Sequence, residues 1–246
     1  MKILLTNDDG IESPGLYALR RALKDHDVWV VAPDTQQSGK SHSITFLDPV
    51  RFNPIDEQVF SCDGSPADCV MYAYHGAIPV KPDVVVSGIN IGPNLGTDLI
   101  YSGTAAAARQ AALMGLPGIA VSLDSFAEPF YFDNAADFVA DNLELLLSLW
   151  NDDHFININA PNLSSYENGV HITRPSRRIY ADEVVRFEAP RGGVYFFLKG
   201  GRVQYAEDGT DSEAVAGGSV SVSPIFLHPQ NRIEEEAYKK ADFRVN

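Results

Sequence analysis

Five short apolar runs recur along the first two thirds of the chain, separated by polar loops and amphipathic stretches. They predict buried β-strands at residues 2–6, 27–33, 82–88, 117–123 and 154–161. Helical spacing of apolar residues predicts α-helices at about 14–24, 105–113 and 134–150, and one more after residue 65. Ser13 before Pro14, and Ser65 with Asp68 three residues later, are helix-capping signals. Because crossover helices join parallel strands, the pattern predicts a Rossmann-like, doubly wound, mostly parallel α/β sheet in three αβα layers.

The pattern changes from about residue 169. Aromatic runs such as Tyr195 to Phe197 lie between Gly-Gly pairs, which favours extended β-hairpins over crossover helices. Residues 219–225 are predicted to return to the main sheet, and 232–243 is a candidate charged helix. We therefore expect one domain over residues 1–246, with a hairpin-rich appendage at about 169–218. An isolated β-ribbon is only marginally stable in water, so the appendage is expected to pair with another subunit.

Composition narrows the functional classes. The chain has 246 residues, of which 45% are hydrophobic, enough for a well-developed core. Its formal charge of -14 disfavours duplex nucleic acid as a partner. The apolar stretch at 105–123 is broken by polar residues, glycine and proline, so it is not expected to span a membrane. The N-terminal residues lack the apolar core of a signal peptide. Cys62 and Cys69 lack metal-ligand spacing and are expected to be reduced structural thiols in a cytoplasmic protein.

Two adjacent carboxylates, Asp8 and Asp9, directly follow the first predicted strand, and Gly10 permits a tight turn after them. In open α/β sheets, ligands bind beyond the carboxyl ends of the strands. Neighbouring carboxylates without a nearby basic residue in the sequence suit a hard divalent cation. A simple turn before the first helix explains this pair equally well.

The loop at 87–104 strengthens the metal hypothesis. Asn90 and Asn94 offer neutral oxygen ligands, and the glycines between them permit close backbone approach. Ser102, Gly103 and Thr104 open the alanine-rich helix, and the amides at a helix N-terminus bind phosphate well. Plain helix capping is the alternative for these three residues alone. An acidic pocket and a helix start at the same sheet edge together indicate a combined metal and phosphate site.

The polar loop at 34–43 offers three more candidates. A hydroxyl such as that of Ser38 could complete a metal shell, and Lys40 could neutralise a phosphate. His42 could be a catalytic group, although a histidine on the surface is the commoner case.

Several motifs together resemble the SurE (survival protein E) family of metal-dependent phosphatases that act on nucleoside monophosphates. The matching stretches, from residue 3 to about 225, are ILLTNDDGIESPGL, VVAPDTQQSGKSHSIT, DGSPADCV, DVVVSGINIGPNLGTDLIYSGT, NINAP and GTDSEAV…GSVSVSPI. The resemblance implies a Rossmann-like core, a protruding hairpin and a C-terminal exchange segment that builds homodimers or homotetramers. Two departures are visible. Gln110 and Ala111 stand where the family usually has Glu-Gly, and PIFLHPQ replaces a simpler Thr-Pro-Leu ending.

The resemblance also assigns residues. It implies one Mg²⁺ or Mn²⁺ ion per subunit, bound by Asp8, Asp9, Ser38 and Asn90. The phosphate site would be lined by Asn7, Asn94, Ser102, Gly103 and Thr104. Asp8 is the expected catalytic residue. It would orient or deprotonate an attacking water, or attack the phosphorus itself. Water is the preferred nucleophile because a metal-bound carboxylate is a weakened one.

The resulting hypothesis is a 5′- or 3′-nucleotidase that releases phosphate from nucleoside monophosphates, with short polyphosphate left open as a further substrate. The alternative is a nucleotide-binding regulatory protein without turnover. A dehydrogenase is disfavoured because the first strand is not followed by G-x-G-x-x-G. The base or sugar is expected to contact the appendage, with residues 177–188 and the aromatic run Tyr195 to Phe197 as candidates. Packing within the hairpin explains those aromatics equally well.

Overall fold

The computed structural model describes residues 1–177, 179–203, 207–229, 235 and 238–240. The strands are β1 (Lys2–Thr6), β2 (Asp27–Pro33), β3 (Phe52–Asp56), β4 (Val59–Cys62), β5 (Val84–Ile91), β6 (Gly118–Asp124), β7 (His154–Pro161), β8 (Val170–Ile172), β9 (Ile179–Glu188), β10 (Val194–Val203) and β11 (Val220–Phe226). The α-helices are α1 (Pro14–Ala22), α2 (Pro66–Tyr72), α3 (Gly103–Leu113), α4 (Phe132–Leu149) and α5 (Asp211–Ala216). The helix predicted at 232–243 lies almost entirely outside the described residues.

Nine strands form the central sheet in the order β3-β4-β2-β1-β5-β6-β7-β11-β8. The six inner strands β4, β2, β1, β5, β6 and β7 run parallel to one another. Antiparallel pairs join β3 to β4 and β11 to β7 near the two edges. The predicted doubly wound, mostly parallel architecture is confirmed, and the predicted return of 219–225 to the main sheet corresponds to β11.

Helices cover both faces of this sheet. Helices α1 and α4 pack together on one face, and α2 and α3 pack together on the other. Successive side chains of β1 alternate between the two cores: Ile3 and Leu5 join the first, and Leu4 joins the second. Burial on both faces explains why the inner strands are continuous apolar runs rather than alternating ones.

Helix α3 approaches the sheet unusually closely. A Cβ added to Gly118 on β6 would lie 2.0 Å from the carbonyl oxygen of Ala108. The helix presents a fully buried run of alanines, Ala105 to Ala108, to the neighbouring elements. Small residues on both sides thus allow the helix to lie near the sheet, where its N-terminus meets the ends of the inner strands.

The two predicted capping signals have different outcomes. Ser65 and Asp68 form the predicted capping box: the Ser65 hydroxyl accepts from the Asp68 amide at 3.1 Å, and the Asp68 carboxylate accepts from the Ser65 amide at 2.9 Å. Ser13 does precede α1, but its buried hydroxyl has no hydrogen-bond partner among the described residues. The predicted N-cap position of Ser13, with Pro14 in the first turn, is therefore confirmed, but the side chain makes no capping hydrogen bond.

A separate antiparallel ribbon, β9 paired with β10, projects from the body as the sequence predicts. It spans residues 179–203, a narrower range than the 169–218 region of the prediction. Strand β8 belongs to the main sheet, and α5 packs on β7 and β11. The ribbon exposes a row of large apolar side chains: Val184, Phe187, Val194, Tyr195, Phe196, Phe197 and Leu198.

Candidate active site

A cavity of about 570 Å³ opens beyond the carboxyl ends of β1 and β5, between the start of α3 and the ribbon. Five of the residues expected from the sequence line it: Asp8, Ser38, Asn90, Asn94 and Ser102. The other lining residues are Gly39, Ile91, Gly92, Pro93, Asp98, Tyr101, Phe126, Tyr180, Asp182 and Leu198. The loops that the sequence indicated separately therefore meet at one place.

Asp8 lies just beyond β1 and is almost completely buried, with 3% of its surface exposed. Its Oδ1 atom accepts a hydrogen bond from the hydroxyl of Thr104 in the first turn of α3. Burial raises the pKa of Asp8, while hydrogen bonds from the Thr104 side chain and from the amides of Thr104 and Gly103 oppose the rise. The carboxylate therefore faces the positive N-terminal end of α3.

Asp9 lies beside Asp8 and is tied to the neighbouring strand. Its Oδ2 atom accepts a hydrogen bond from the Ile91 amide at 3.0 Å. Burial raises the pKa of Asp9 to about 6, the Ile91 amide opposes this, and the charge of Asp8 adds to it. A buried and a half-buried carboxylate, both with raised pKa values, are thus adjacent, an arrangement that a cation would stabilise.

Asn90 lies near the end of β5, and the segment after it fixes the orientation of its side chain. Its Nδ2 atom donates to the carbonyl oxygen of Gly92 at 2.7 Å, and the residue is 9% exposed. With the amide nitrogen held by the backbone, the Oδ1 atom is the group left to bind a ligand in the cavity.

Ser38 reaches the cavity from the loop after β2. The loop is anchored on both sides of this residue: the Gln37 amide donates to the carbonyl oxygen of Asp8 at 2.7 Å, and the Ser41 amide donates to that of Tyr101 at 3.1 Å. Ser38 itself is exposed. Its hydroxyl is therefore carried to the cavity by a loop whose backbone is bound to both neighbouring segments.

Asn94 belongs to a buried amide network. Its backbone amide donates to the Asn159 side chain at 2.8 Å, and its Nδ2 atom donates to the Ser122 hydroxyl at 2.8 Å. Its carbonyl oxygen accepts from the side chains of Asn157 and Asn159 at 3.0 and 3.1 Å. The loop after β5 is thereby fixed to β6 and β7.

Of the other residues expected to bind phosphate, Asn7, Gly103 and Thr104 do not line the cavity. Asn7 is fully buried, and its side chain accepts from the Gly10 amide at 3.2 Å and donates to the Gly10 carbonyl at 2.8 Å. Gly103 and Thr104 are also buried, next to Asp8. Ser102 caps α3 by accepting from the Ala105 amide at 3.0 Å. Of this group, only Ser102 lines the cavity.

His42 and Lys40 do not line the cavity. The His42 Nε2 atom lies 2.9 Å from Oε1 of Gln110 on α3. Burial lowers the pKa of His42, the hydrogen bond with Gln110 raises it, and the charge of Arg109 lowers it. The hydrogen bond between His42 and Gln110 joins the Ser38 loop to α3, and neither residue lines the cavity.

The donor set fits a hard cation. Asp8, Asp9, Ser38 and Asn90 all offer oxygen atoms, and no Lys, Arg or His is among the described residues that line the cavity. No cluster of three or more His, Cys, Asp or Glu side chains suited to a metal occurs in the described part of the chain. A divalent ion here would thus be held by two carboxylates and neutral oxygens, the ligand type of Mg²⁺ and Mn²⁺.

The sequence did not indicate the apolar and aromatic part of the cavity lining. Phe126, Tyr101 and Leu198 belong to it, and Tyr180 and Asp182 of the ribbon line the cavity as well. Tyr180 and Asp182 do fall in the stretch 177–188 that was expected near the base, whereas the run Tyr195 to Phe197 does not line the cavity. Phe126 follows β6 in a short loop whose composition gives no signal.

A larger cavity of about 1050 Å³ lies on another part of the surface, next to the end of β11. It is lined by Ile100, Arg109, Asp153, Phe226, Leu227, His228 and Pro229. None of the residues expected from the sequence lines it, so size alone does not identify the active site.

Across the described residues, the helices are all too short or too polar to cross a membrane.

Comparison with known proteins agrees with this geometry. The profile of the family described as Survival protein SurE matches residues 3–182. The chain is 42% identical to 5'-nucleotidase SurE of Geotalea uraniireducens over 248 residues, covering 98% of this chain and 99% of that protein. It is 43% identical to the protein of the same name from Syntrophotalea carbinolica, covering 94% of this chain and 93% of that protein.

A solved structure, that of the SurE protein from Aquifex aeolicus, superposes with a TM-score of 0.86 at 39% identity. The match covers 97% of this chain and 98% of that one, so the inner sheet, its helices and the ribbon belong to one shared architecture. By sequence and by fold, the chain belongs to the SurE family of survival proteins.

Proposed function

We propose that this chain is a metal-dependent nucleotidase that releases phosphate from nucleoside 5′- or 3′-monophosphates, with short polyphosphate as a further substrate. The observation that carries the proposal is the buried Asp8 carboxylate. It faces the N-terminus of α3, and Asn90 and Ser38 line the same cavity. The name 5'-nucleotidase SurE given to the relatives supports the same reaction class.

The metal would be held by Asp8, Asp9, Ser38 and Asn90. When bound, a divalent cation polarises a phosphoryl oxygen and lowers the pKa of water. Asp8 is buried and Asp9 is half-buried, and the described cavity wall contains no basic side chain that would neutralise them. A cation would supply the missing positive charge. The backbone and side-chain hydrogen bonds to Asp9 and Asn90 orient their oxygens before any ligand binds.

The phosphoryl group would lie against the start of α3. The Ser102 hydroxyl and the positive end of the helix would face the developing charge, whereas the amides of Gly103 and Thr104 point to Asp8 and would act by holding that carboxylate. Asn94 would contribute from the adjacent loop. Asn7 would act by holding the turn that carries Asp8 and Asp9, since both of its polar side-chain atoms bind Gly10.

Asp8 is the proposed catalytic residue. Its Oδ1 atom accepts from Thr104, which holds the carboxylate in place, and Asp8 would orient an attacking water or take its proton. Because Asp8 is buried, this hydrogen bond is shielded from bulk water and holds the carboxylate in one orientation.

Phosphate release from AMP and GMP with Mn²⁺, measured by a malachite-green assay, tests the proposal. Asp8→Asn should lower turnover by about 10³-fold or more, because one major electrostatic term is lost. Full activity of this variant would refute the role of Asp8. Nucleotide binding by the wild-type chain without phosphate release would instead favour the regulatory alternative.

We also propose that the chain forms a homodimer or homotetramer through the ribbon. The described part of β9 and β10 pairs with no other strand, and its apolar side chains are exposed, Leu198 at 77%. An uncovered apolar row of this kind is typical of an interface. Light scattering of Phe196→Ser and Phe197→Ser should show a smaller mass than the wild type. An unchanged mass would contradict a ribbon-mediated assembly.

A cytoplasmic location is proposed as well. Cys62 and Cys69 are both buried and carry free thiols, as expected from the sequence. Unbridged cysteines are typical of reducing compartments. Cell fractionation with an antibody against the chain would test this assignment, and recovery in an extracytoplasmic fraction would refute it.

A further inference from the structure

The carboxylate of Asp211 is fully buried at the start of α5 and does not line the cavity. Its Oδ2 atom accepts a hydrogen bond from the Gly96 amide at 2.7 Å. Its Oδ1 atom accepts from the amides of Ser176 at 2.9 Å and Ser212 at 2.7 Å. A carboxylate offers two acceptor oxygens and no donor, so it can bind several amides at once. Here it joins three separate stretches of the backbone.

Two of these three stretches lead into the cavity. Gly96 follows Asn94 by two residues in the β5–α3 segment, which comprises residues 92–102 and supplies several of the residues that line the cavity. Ser176 lies three residues before β9, the ribbon strand that contributes to the same lining. The side chain of Asp211 therefore connects one wall of the cavity to the base of another.

The junction around this carboxylate is closely packed. Gly96 has a φ of 53°, and a Cβ added there would lie 2.0 Å from the carbonyl oxygen of Ser176. The hydroxyls of Ser176 and Ser212 are hydrogen-bonded to each other. The Asp211 amide donates to the carbonyl oxygen of Arg174 at 3.0 Å, which also ties α5 to the chain before the ribbon. The bond from Gly96 to Asp211 links this block directly to the β5–α3 segment.

We propose that Asp211 is a positioning residue for phosphate binding and acts by holding the β5–α3 segment in place. The inference rests on the proposed function, in which Asn94 and Ser102 of this segment contact the phosphoryl group, and it adds a residue outside the cavity that sets their position. The Asn94 amide is separately bound to the Asn159 side chain at 2.8 Å. Loss of the Asp211 link should thus loosen the segment without detaching it from β7.

Asp211→Asn cuts this link selectively. An amide side chain has one acceptor oxygen where a carboxylate has two. That oxygen is expected to stay with the two amides of Ser176 and Ser212, which turns the NH₂ group toward the Gly96 amide and sets two donors against each other. Ser212→Ala is the matched control, because it removes a buried hydroxyl from the same cluster and keeps the carboxylate with all three of its backbone donors.

The assay measures hydrolysis of p-nitrophenyl phosphate with Mg²⁺, with inorganic phosphate added as a competitive inhibitor. Loss of one hydrogen bond to a charged group corresponds to a factor of about 10 to 150. Asp211→Asn should raise both KM and the Ki of phosphate by about 10-fold or more. Ser212→Ala should lower the Tm but keep both constants within about twofold of the wild type.

A merely structural role would give a different result. Destabilisation alone reduces the folded fraction, which lowers the apparent kcat and leaves KM and Ki unchanged. Unchanged KM and Ki in Asp211→Asn, or an equal rise in Ser212→Ala, would therefore overturn the positioning role. Hydrolysis of p-nitrophenyl phosphate without release of phosphate from AMP would refute the nucleotidase function while leaving the Ki test of Asp211 valid. Absence of any hydrolysis by the wild type would refute both proposals.

Hydrogen exchange in the wild-type chain tests the same link without a substitution and decides the question if Asp211→Asn does not fold. Phosphate with Mg²⁺ should slow exchange of the Gly96 and Ser176 amides together, because a ligand that binds the closed segment suppresses its opening. The Lys2 amide is the control and should not change, since it is bound to Asp83 at the amino ends of β1 and β5. Unchanged exchange at Gly96 would overturn the proposal.

Discussion

Gly103→Ala offers a sharp test of the link between α3 and Asp8. The backbone of Gly103 does not require glycine, since no positive φ is found there. A Cβ at this position would, however, lie 2.8 Å from the Cβ, 3.0 Å from Oδ2 and 3.2 Å from Cγ of Asp8. Ordinary contacts of this kind begin at 3.4 Å. Either the carboxylate or the first turn of α3 must therefore move by several tenths of an ångström to about 1 Å.

The magnitude follows from this displacement. Overpacking of a buried contact typically costs about 1–3 kcal/mol, and the higher helix propensity of alanine over glycine offsets about 1 kcal/mol of this. We expect a net destabilisation of about 0–2 kcal/mol, or a decrease in Tm of up to about 8 °C. Misplacement of a reacting group by about 1 Å costs about 10²-fold in rate, so activity should fall far more than stability.

The assay is kcat/KM for AMP with Mn²⁺, beside a thermal melt of the same sample. Gly217→Ala is the control, since Gly217 also lies at a helix end with negative φ, and its added Cβ would come no closer than 3.3 Å to any neighbour. That variant should keep nearly full activity. If Gly103→Ala retained kcat/KM within about threefold of the wild type, the proposed coupling of α3 to Asp8 would be refuted.

Three further predictions address the metal, the protonation of His42 and the core. Removal of divalent ions with EDTA should abolish phosphate release, and Mn²⁺ or Mg²⁺ should restore it; activity that persists in EDTA would contradict the metal assignment. Because the fold lowers the pKa of His42, the unfolded chain binds a proton more readily, so this histidine reduces stability as the pH falls below about 6.5. Urea unfolding at pH 7.5 and 5.5 should therefore show a smaller pH effect in His42→Asn than in the wild type, and an equal effect would be evidence against the burial of His42. Ile158→Ala removes a fully buried side chain of β7 and should cost about 2–5 kcal/mol in the free energy of unfolding; a loss below 1 kcal/mol would show that the core collapses around the gap.

The features that the sequence predicted correctly depend on local signals or on a general topological rule. The capping box of Ser65 and Asp68 needs only residues three positions apart. The meeting of Asp8, Asn90 and Ser102 at one cavity follows because parallel strands end at the same sheet edge. The capping box and the shared sheet edge can both be inferred without knowing the order of the strands.

Other features depend on contacts between distant segments. Strands β3 and β4 form an antiparallel pair at the sheet edge, a pairing that alternating residues before Cys62 do not specify. The Phe126 ring occupies the space where a side chain at residue 92 would lie, and Gly92 is more than 30 positions earlier in the chain. The Ser13 side chain makes no capping hydrogen bond, although the residue stands at the N-cap of α1. No local pattern encodes these outcomes.

The asparagine network behind the loop of Asn94 has a consequence for engineering. Exchange of Asn159 for an apolar residue would leave the Asn94 amide without its partner, at a cost of about 1–3 kcal/mol, and exchange of Asn157 would remove one of the two donors to the Asn94 carbonyl. Libraries aimed at new substrates would therefore fail if they varied β7 one position at a time. Productive variants should change both asparagines together with Asn94, or leave all three untouched and vary the exposed rim instead.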